Sequence, residues 1–137
     1  QMAGPALERE VVDGRAYWAD ASRQSRRQRS PAAHLLPNYD EYFIGFKDRR
    51  AIGQRLKSRE LVTGGDALTT HVVVVNGQLV GGWNRSLEKT RVIVELKLLT
   101  ALTAAEERAV ASATEAYGRF LGLPVELRWS STFQPAV

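Results

Sequence analysis

Three β-prone segments between His71 and Leu98 constrain the fold more than any other part of the chain. "HVVVV" and "QLVGGWNRS" flank Asn76 and Gly77. Asn-Gly is a favoured two-residue hairpin connection, because both central positions of that turn need positive φ. "EKTRVIVELKLL" then alternates, with Val92, Val94, Leu96 and Leu98 on one face and Arg91, Ile93, Glu95 and Lys97 on the other. A turn near Leu87 to Thr90 would join the second and third segments. The pattern predicts a three-stranded antiparallel meander. Gly81 and Gly82 inside its second strand predict a bulge or sharp bend, a device that lets a sheet coil or close.

The flanking regions add a hairpin, a helix and a last strand. "LEREVVDGRAYWAD" carries Asp13-Gly14, the other strong hairpin dipeptide, with Val11, Tyr17 and Trp18 as β-formers. An isolated hairpin is marginal in water, so this one either packs on the rest of the chain or is the tail of an upstream domain. Residues 21–33 are polar and basic and read as a linker or loop, and contact with nucleic acid is the alternative for them. "YDEYFIGF" reads as a strand with Gly45 as a bulge or close-approach point, and "DRRAIGQRLKSRELV" as one or two helical turns capped by Asp48 and weakened by Gly53. Thr103 and Glu106 form a capping-box pattern ahead of an apolar stripe of Val110, Ala113, Tyr117, Phe120 and Leu121, with Thr114 at its edge. Gly122 and Pro124 stop that helix, and "VELRWSS" returns as a strand. The expected fold class is α+β: a curled antiparallel sheet of about five to seven strands, or a small β-barrel, with one long amphipathic helix. The expected organisation is a hairpin over residues 1–20, a basic linker over 21–33 and a β-barrel-like domain over 34–137.

A chain of 137 residues is the size of one ordinary domain. It has no cysteine, which removes disulfides, thiolate nucleophiles and cysteine–metal sites. No apolar run approaches a membrane span and no signal-peptide core is present in the sequence, so no membrane partner is expected and the expected location is cytoplasmic. Charge is unevenly placed. Residues 21–60 hold ten Lys/Arg against four acids, an excess of six, while residues 1–20 carry a deficit of two and residues 61–137 balance. A basic window of this kind suits a polyanion better than a small acidic molecule.

No catalytic constellation is visible. Asp40 and Glu41 would point to opposite faces of a strand and cannot serve one substrate together, and Asp40 after Pro37 and Asn38 suits capping of a turn. His34 has no nearby partner, and His71 heads an apolar strand. Two histidines without a carboxylate pattern make no metal site, and no phosphate-binding glycine loop or nucleophile elbow occurs, so no cofactor is expected. Lys47, Arg49 and Arg50 around Asp48 are either a solvated face with an Asp–Arg pair or phosphate contacts, as are Arg26, Arg27 and Arg29. Trp83 beside Arg85 either stacks on a base or belongs to the core.

"HLLPNYDEYFIGFKDR", the Asn-Gly hairpin and "GGWNRSLEKTRVIVELKLL" together resemble the C-terminal part of the AlkZ-like (YcaQ-like) winged-helix DNA-binding-domain family. Leu35, Leu36, Pro37, Tyr39, Asp40, Glu41, Tyr42, Gly45, Phe46, Asp48 and Arg49 match its first motif, which also spans Asn38; Val75, Asn76, Gly77, Gly81, Trp83 and Arg85 match its second. Leu79 replaces a β-branched residue, and Asn84 stands where the family commonly has a basic one. The resemblance implies tandem winged helices followed by a β-barrel-like domain, with residues 1–20 as the wing of an upstream winged helix. It also implies kinship with glycosylases that excise bulky alkylated bases or unhook crosslinks, some acting in self-resistance. Their catalytic Gln-hydrophobic-Gln or Gln-hydrophobic-Asp triplet has no counterpart here: Gln24, Gln28, Gln54, Gln78 and Gln134 are all wrongly spaced.

The expected function is therefore a non-catalytic module that supports its upstream winged helices and touches double-stranded DNA weakly and without sequence preference. Arg26, Arg27, Arg29, Lys47, Arg49, Arg50 and Arg85 are the expected backbone contacts, and Pro37, Asn38, Tyr39, Asp40, Tyr42, Asp48, Gly81 and Trp83 have structural or contact roles. The alternatives are a purely structural or protein-binding domain and a small enzyme with a cavity inside the barrel. Burial of Tyr42, Phe46 and Trp83 with Asp40 capping a turn would mark the motif as a folding signature.

Overall fold

A computed structural model describes residues 7–12, 14–21, 30–45, 48–56 and 71–130. Its elements run β1 (Leu7–Val12), β2 (Arg15–Asp20), β3 (Ala33–Leu36), α1 (Glu41–Ile44), β4 (Val72–Val75), β5 (Gln78–Leu87), β6 (Val92–Leu98), α2 (Ala104–Leu121) and β7 (Val125–Ser130). β1 and β2 form a two-stranded sheet, and the others a five-stranded sheet in the order β3-β4-β5-β6-β7. None of the described helices is long and apolar enough to cross a membrane.

The meander is present as the turn chemistry dictates. Asn76 (φ 51°) and Gly77 (φ 74°) both take the left-handed conformation between β4 and β5. Gly14 does the same between β1 and β2 (φ 75°), while Asp13 lies outside the described residues. Two expectations about the sheet need correcting. It is not uniformly antiparallel, because β7 runs parallel to β6. A parallel pair needs a long crossover, and α2 supplies it. Nor, among the described residues, does it close into a barrel: β3 and β7 are the edges of an open sheet.

The predicted bulge exists, but its extra residue is Val80 rather than a glycine. Val73 pairs with Gly81 and Val74 with Leu79, leaving Val80 unmatched. Strand side chains alternate, so one extra residue inverts the pattern beyond it. Leu79 accordingly packs with Val72 and Val74 on one face, while Val80 and Trp83 join Val73 and Val75 on the other. Gly81 is needed for proximity: a Cβ there would sit 2.3 Å from the Lys97 carbonyl oxygen.

Both faces of the sheet are covered around β4. α2 lays Val110 and Tyr117 on the cluster that holds Val73, Val94, Leu96 and Trp83. On the opposite face, Leu36, Phe43 and Leu56 cover Val72, Val74 and Leu79. α2 begins at the expected capping box, in which the Thr103 hydroxyl accepts from the Glu106 amide and the Glu106 carboxylate accepts from the Thr103 amide (2.8 Å). It ends at Gly122 in the left-handed conformation (φ 68°). Its buried stripe is Val110, Thr114 and Gly118 rather than one that includes Phe120, which is 83% exposed. At 100° per residue Phe120 falls about a third of a turn from the centre of that stripe. Thr114 is tolerated inside because its hydroxyl donates to the Val110 carbonyl (2.9 Å).

The strand expected over residues 39–46 is also corrected. Tyr39 takes a left-handed conformation (φ 59°), and Glu41–Ile44 form one turn of helix. The strand is Ala33–Leu36, on the other side of Pro37. Asp48 accepts from the Arg50 amide (3.1 Å), but the helix expected after it is not found among the described residues: 50–52 and 54–55 are separate turns, and 57–62 lie outside the described residues. Phe46 and Lys47 lie outside the described residues.

Candidate nucleic-acid interface

The first sequence motif is joined to the second by backbone-directed hydrogen bonds. The Trp83 indole N–H donates to the Leu36 carbonyl (2.9 Å), and the Tyr42 hydroxyl donates to the Gly77 carbonyl (2.7 Å). Asp40 Oδ1 accepts from the Tyr42 amide (2.9 Å), which fixes the start of α1. Asn76 accepts from the Ala32 amide through its side chain (3.0 Å) and donates its own amide to the Ala32 carbonyl (2.9 Å). Trp83 is 5% exposed and Asp40 caps a turn, but Tyr42 is 37% exposed and Phe46 lies outside the described residues, so the burial expected of a folding signature is met at Trp83 alone. Tyr42 is held at the surface by its hydroxyl, which burial pushes above the usual phenol range. Pro37, Asn38 and Tyr39 are exposed, with Tyr39 the most prominent aromatic of the motif at 78%.

The basic residues divide into three situations. Arg49 folds inward, donating from Nε to the Phe43 carbonyl (2.8 Å) with its guanidinium 4.6 Å from the Phe43 ring centroid. Arg85 donates to the Tyr117 hydroxyl and lies 5.8 Å from that ring's centroid. Arg50 grips Asp48 with both Nε (3.1 Å) and Nη2 (3.0 Å), in the planar fork that guanidinium and carboxylate favour. Arg26, Arg27, Arg29 and Lys47 fall outside the described residues.

Arg15 of the hairpin also binds Asp48. Sequence reading missed it, since 33 residues separate the partners and no local signal links them. The Arg50 and Arg15 hydrogen bonds together hold the Asp48 carboxyl far below the usual carboxylate range, and Asp48 in turn raises Arg50. Between hairpin and turn lies a cleft of about 490 Å³. Glu10, Arg15 and Tyr17 line one side, and Arg50, Ala51 and Gln54 the other. Gln54 is placed by its amide donating to the Gln78 side-chain oxygen (3.1 Å), and Gln78 also donates to the Ala51 carbonyl (3.0 Å).

A second cluster runs under α2. His71 meets Trp83 edge-on at 4.7 Å between centroids, and Trp83 meets Tyr117 likewise at 5.4 Å. His71 Nδ1 is buried without a hydrogen-bond partner, and burial, helped by the Arg85 charge, lowers its pKa below the usual histidine value. Among the described residues no group of three His, Asp or Glu side chains could hold a metal ion.

The sequence model of the AlkZ-like DNA glycosylases matches residues 1–120. The chain belongs to the AlkZ-like DNA glycosylase family. Its fold is similar to that of Streptomyces sahachiroi DNA glycosylase AlkZ, with a TM-score of 0.57 and 21% identity over 90% of this chain. The chain covers 34% of that protein, so it spans about a third of AlkZ's length. No curated protein sequence matches it.

Proposed function

We propose that this chain is a non-catalytic module of an AlkZ-like protein that braces upstream winged-helix domains and contacts the DNA backbone without reading sequence. In this reading residues 1–20 are the wing of a winged helix, residues 21–33 a basic linker and residues 34–137 the supporting domain, all inside a cytoplasmic DNA-repair protein acting on bulky or crosslinked bases. The observation that carries the supporting role is the use of motif side chains. Asp40, Tyr42, Arg49 and Trp83 each bond the protein's own backbone, so the motif that identifies the family is a folding device. The absence of a Gln-hydrophobic-Gln or Gln-hydrophobic-Asp triplet from the sequence favours a module that leaves base excision to other residues.

DNA contact then falls to Arg50, whose side chain is 75% exposed, and, on the charge of the basic window alone, to Arg26, Arg27, Arg29 and Lys47. Such contacts release counterions from DNA, so affinity should fall steeply as salt rises. Titration of a labelled duplex at increasing salt tests this. Binding that weakens with salt and is indifferent to sequence is expected. Affinity no greater than that of a neutral protein of equal size would leave only the bracing role.

A further inference from the structure

Two guanidiniums converge on one carboxylate at the mouth of the cleft between β1–β2 and the turn at 48–54. Asp48 takes the Nε and Nη2 edge of Arg50, which holds the planar group in one orientation. No acceptor among the described residues is paired with Arg50 Nη1. Arg15 uses Nη1 for Asp48, and its side chain remains 50% exposed. With its Nε/Nη2 edge on Asp48, Arg50 keeps the Nη1 side of its guanidinium open, and a guanidinium held in one orientation suits the oxygens of a phosphate. Tyr17, on the same wall as Arg15, is 46% exposed and lines the cleft together with Arg50. The cleft's volume falls in the range of small-ligand sites, so it fits one nucleic-acid strand rather than a duplex.

We propose that this cleft binds a single strand of nucleic acid, Arg15 and Arg50 taking one phosphodiester and Tyr17 stacking on the neighbouring base. Asp48 is a positioning residue, aligning both guanidiniums without touching the ligand. Glu10 stands opposite Tyr17 in the hairpin register and lines the same cleft, so it repels phosphate from that end and sets the strand's direction. With Glu10 and Asp48 balancing the two arginines, the site works by local geometry rather than long-range attraction. The site rests on the reading of the chain as a DNA-contacting module.

The test is fluorescence anisotropy of a short labelled single-stranded oligonucleotide and of a duplex of equal length, at several salt concentrations. Tyr17→Ala should weaken single-strand binding by about 5- to 150-fold, the factor equivalent to losing one aromatic–base stack. Arg50→Ala should weaken it and flatten the logarithmic salt slope by roughly 0.7, the share of one phosphate on a single strand. Lys89→Ala, which removes an exposed charge at the β5–β6 turn, should do neither. Thermal unfolding of each variant checks the fold, and Tyr17→Ala probes the cleft without breaking the Asp48 pairs. If the wild-type chain binds and Tyr17→Ala and Arg50→Ala match it, or Lys89→Ala does as much as Arg50→Ala, the cleft assignment falls and the backbone-contact reading stands. If the wild-type chain binds neither oligonucleotide, both fall.

Discussion

The two sheets of this molecule are held by different physics. The five-stranded sheet buries apolar side chains on both faces around β4, with Val73, Val75, Leu79 and Val80 all fully enclosed. The β1–β2 hairpin leaves Leu7, Val11, Tyr17 and Trp18 exposed, and Arg15 ties it to the body through Asp48. Where burial fixes the structure, the family motif is consumed in building it. Where burial is slight, arginine, tyrosine and carboxylate groups stay accessible to solvent and to a ligand. On the proposed reading, stability and contact occupy separate parts of one small chain.

Substitutions can break this contrast, and the largest effect should come from the sheet. Trp83→Ala removes the side chain that bridges β5, α2 and the Leu36 carbonyl, and should cost about 3–5 kcal/mol in urea unfolding. A loss under about 1 kcal/mol would mean that the indole is not the keystone its contacts make it. Gly81→Ala comes next. Its new Cβ meets the Lys97 carbonyl oxygen, and a loss of about 1–3 kcal/mol is expected by the same measurement. An unchanged midpoint would show that β5 and β6 separate more easily than the close approach implies.

A smaller effect concerns pH. The folded state lowers the His71 pKa, so the unfolded chain binds that proton more tightly. His71's contribution is therefore complete above its ordinary value near 6.5 and is lost as pH falls through the folded pKa. Thermal midpoints measured from pH 8 to 5 should drop on the acidic side, and His71→Phe should flatten that drop. The same slope in both proteins would assign the pH dependence to other groups. The smallest effect is expected in the hairpin, where Trp18→Ala should change global stability by less than about 0.5 kcal/mol. A larger loss would erase the distinction between the two sheets.

Local chemistry made much of this fold legible. The Asn76-Gly77 and Asp13-Gly14 turns, the alternation from Val92 to Leu98 and the Thr103–Glu106 box each depend on residues close in sequence, and each led to the correct element. The errors share a different cause. Residues 39–46 are aromatic and β-branched enough to read as a strand, yet the left-handed Tyr39 and the Asp40 cap turn the chain into a helix. The parallel direction of β7, the open edges and the Arg15–Asp48 pair are decided by where distant segments meet. Gly81 and Gly82 correctly marked an irregular place in β5. The neighbouring Val80 is the bulged residue, because pairing with Val73 and Val74 sets the register.

The interface was legible only in outline. The basic window pointed to a polyanion, but composition cannot separate an arginine that ends on a carbonyl, as Arg49 does, from one held outward on a carboxylate, as Arg50 is. Tyr17 and Arg15 carried no sign of the role proposed for them, since it depends on the turn that faces them.

Amide and indole chemical-shift mapping by NMR during titration with a short oligonucleotide tests the division of labour most directly. The largest shifts are expected at Arg15, Tyr17, Arg50 and Gln54, with the Trp83 indole and the Tyr42 amide nearly still. Shifts centred on Trp83 and Tyr42, or on the outer face of β6 and β7, would contradict the account.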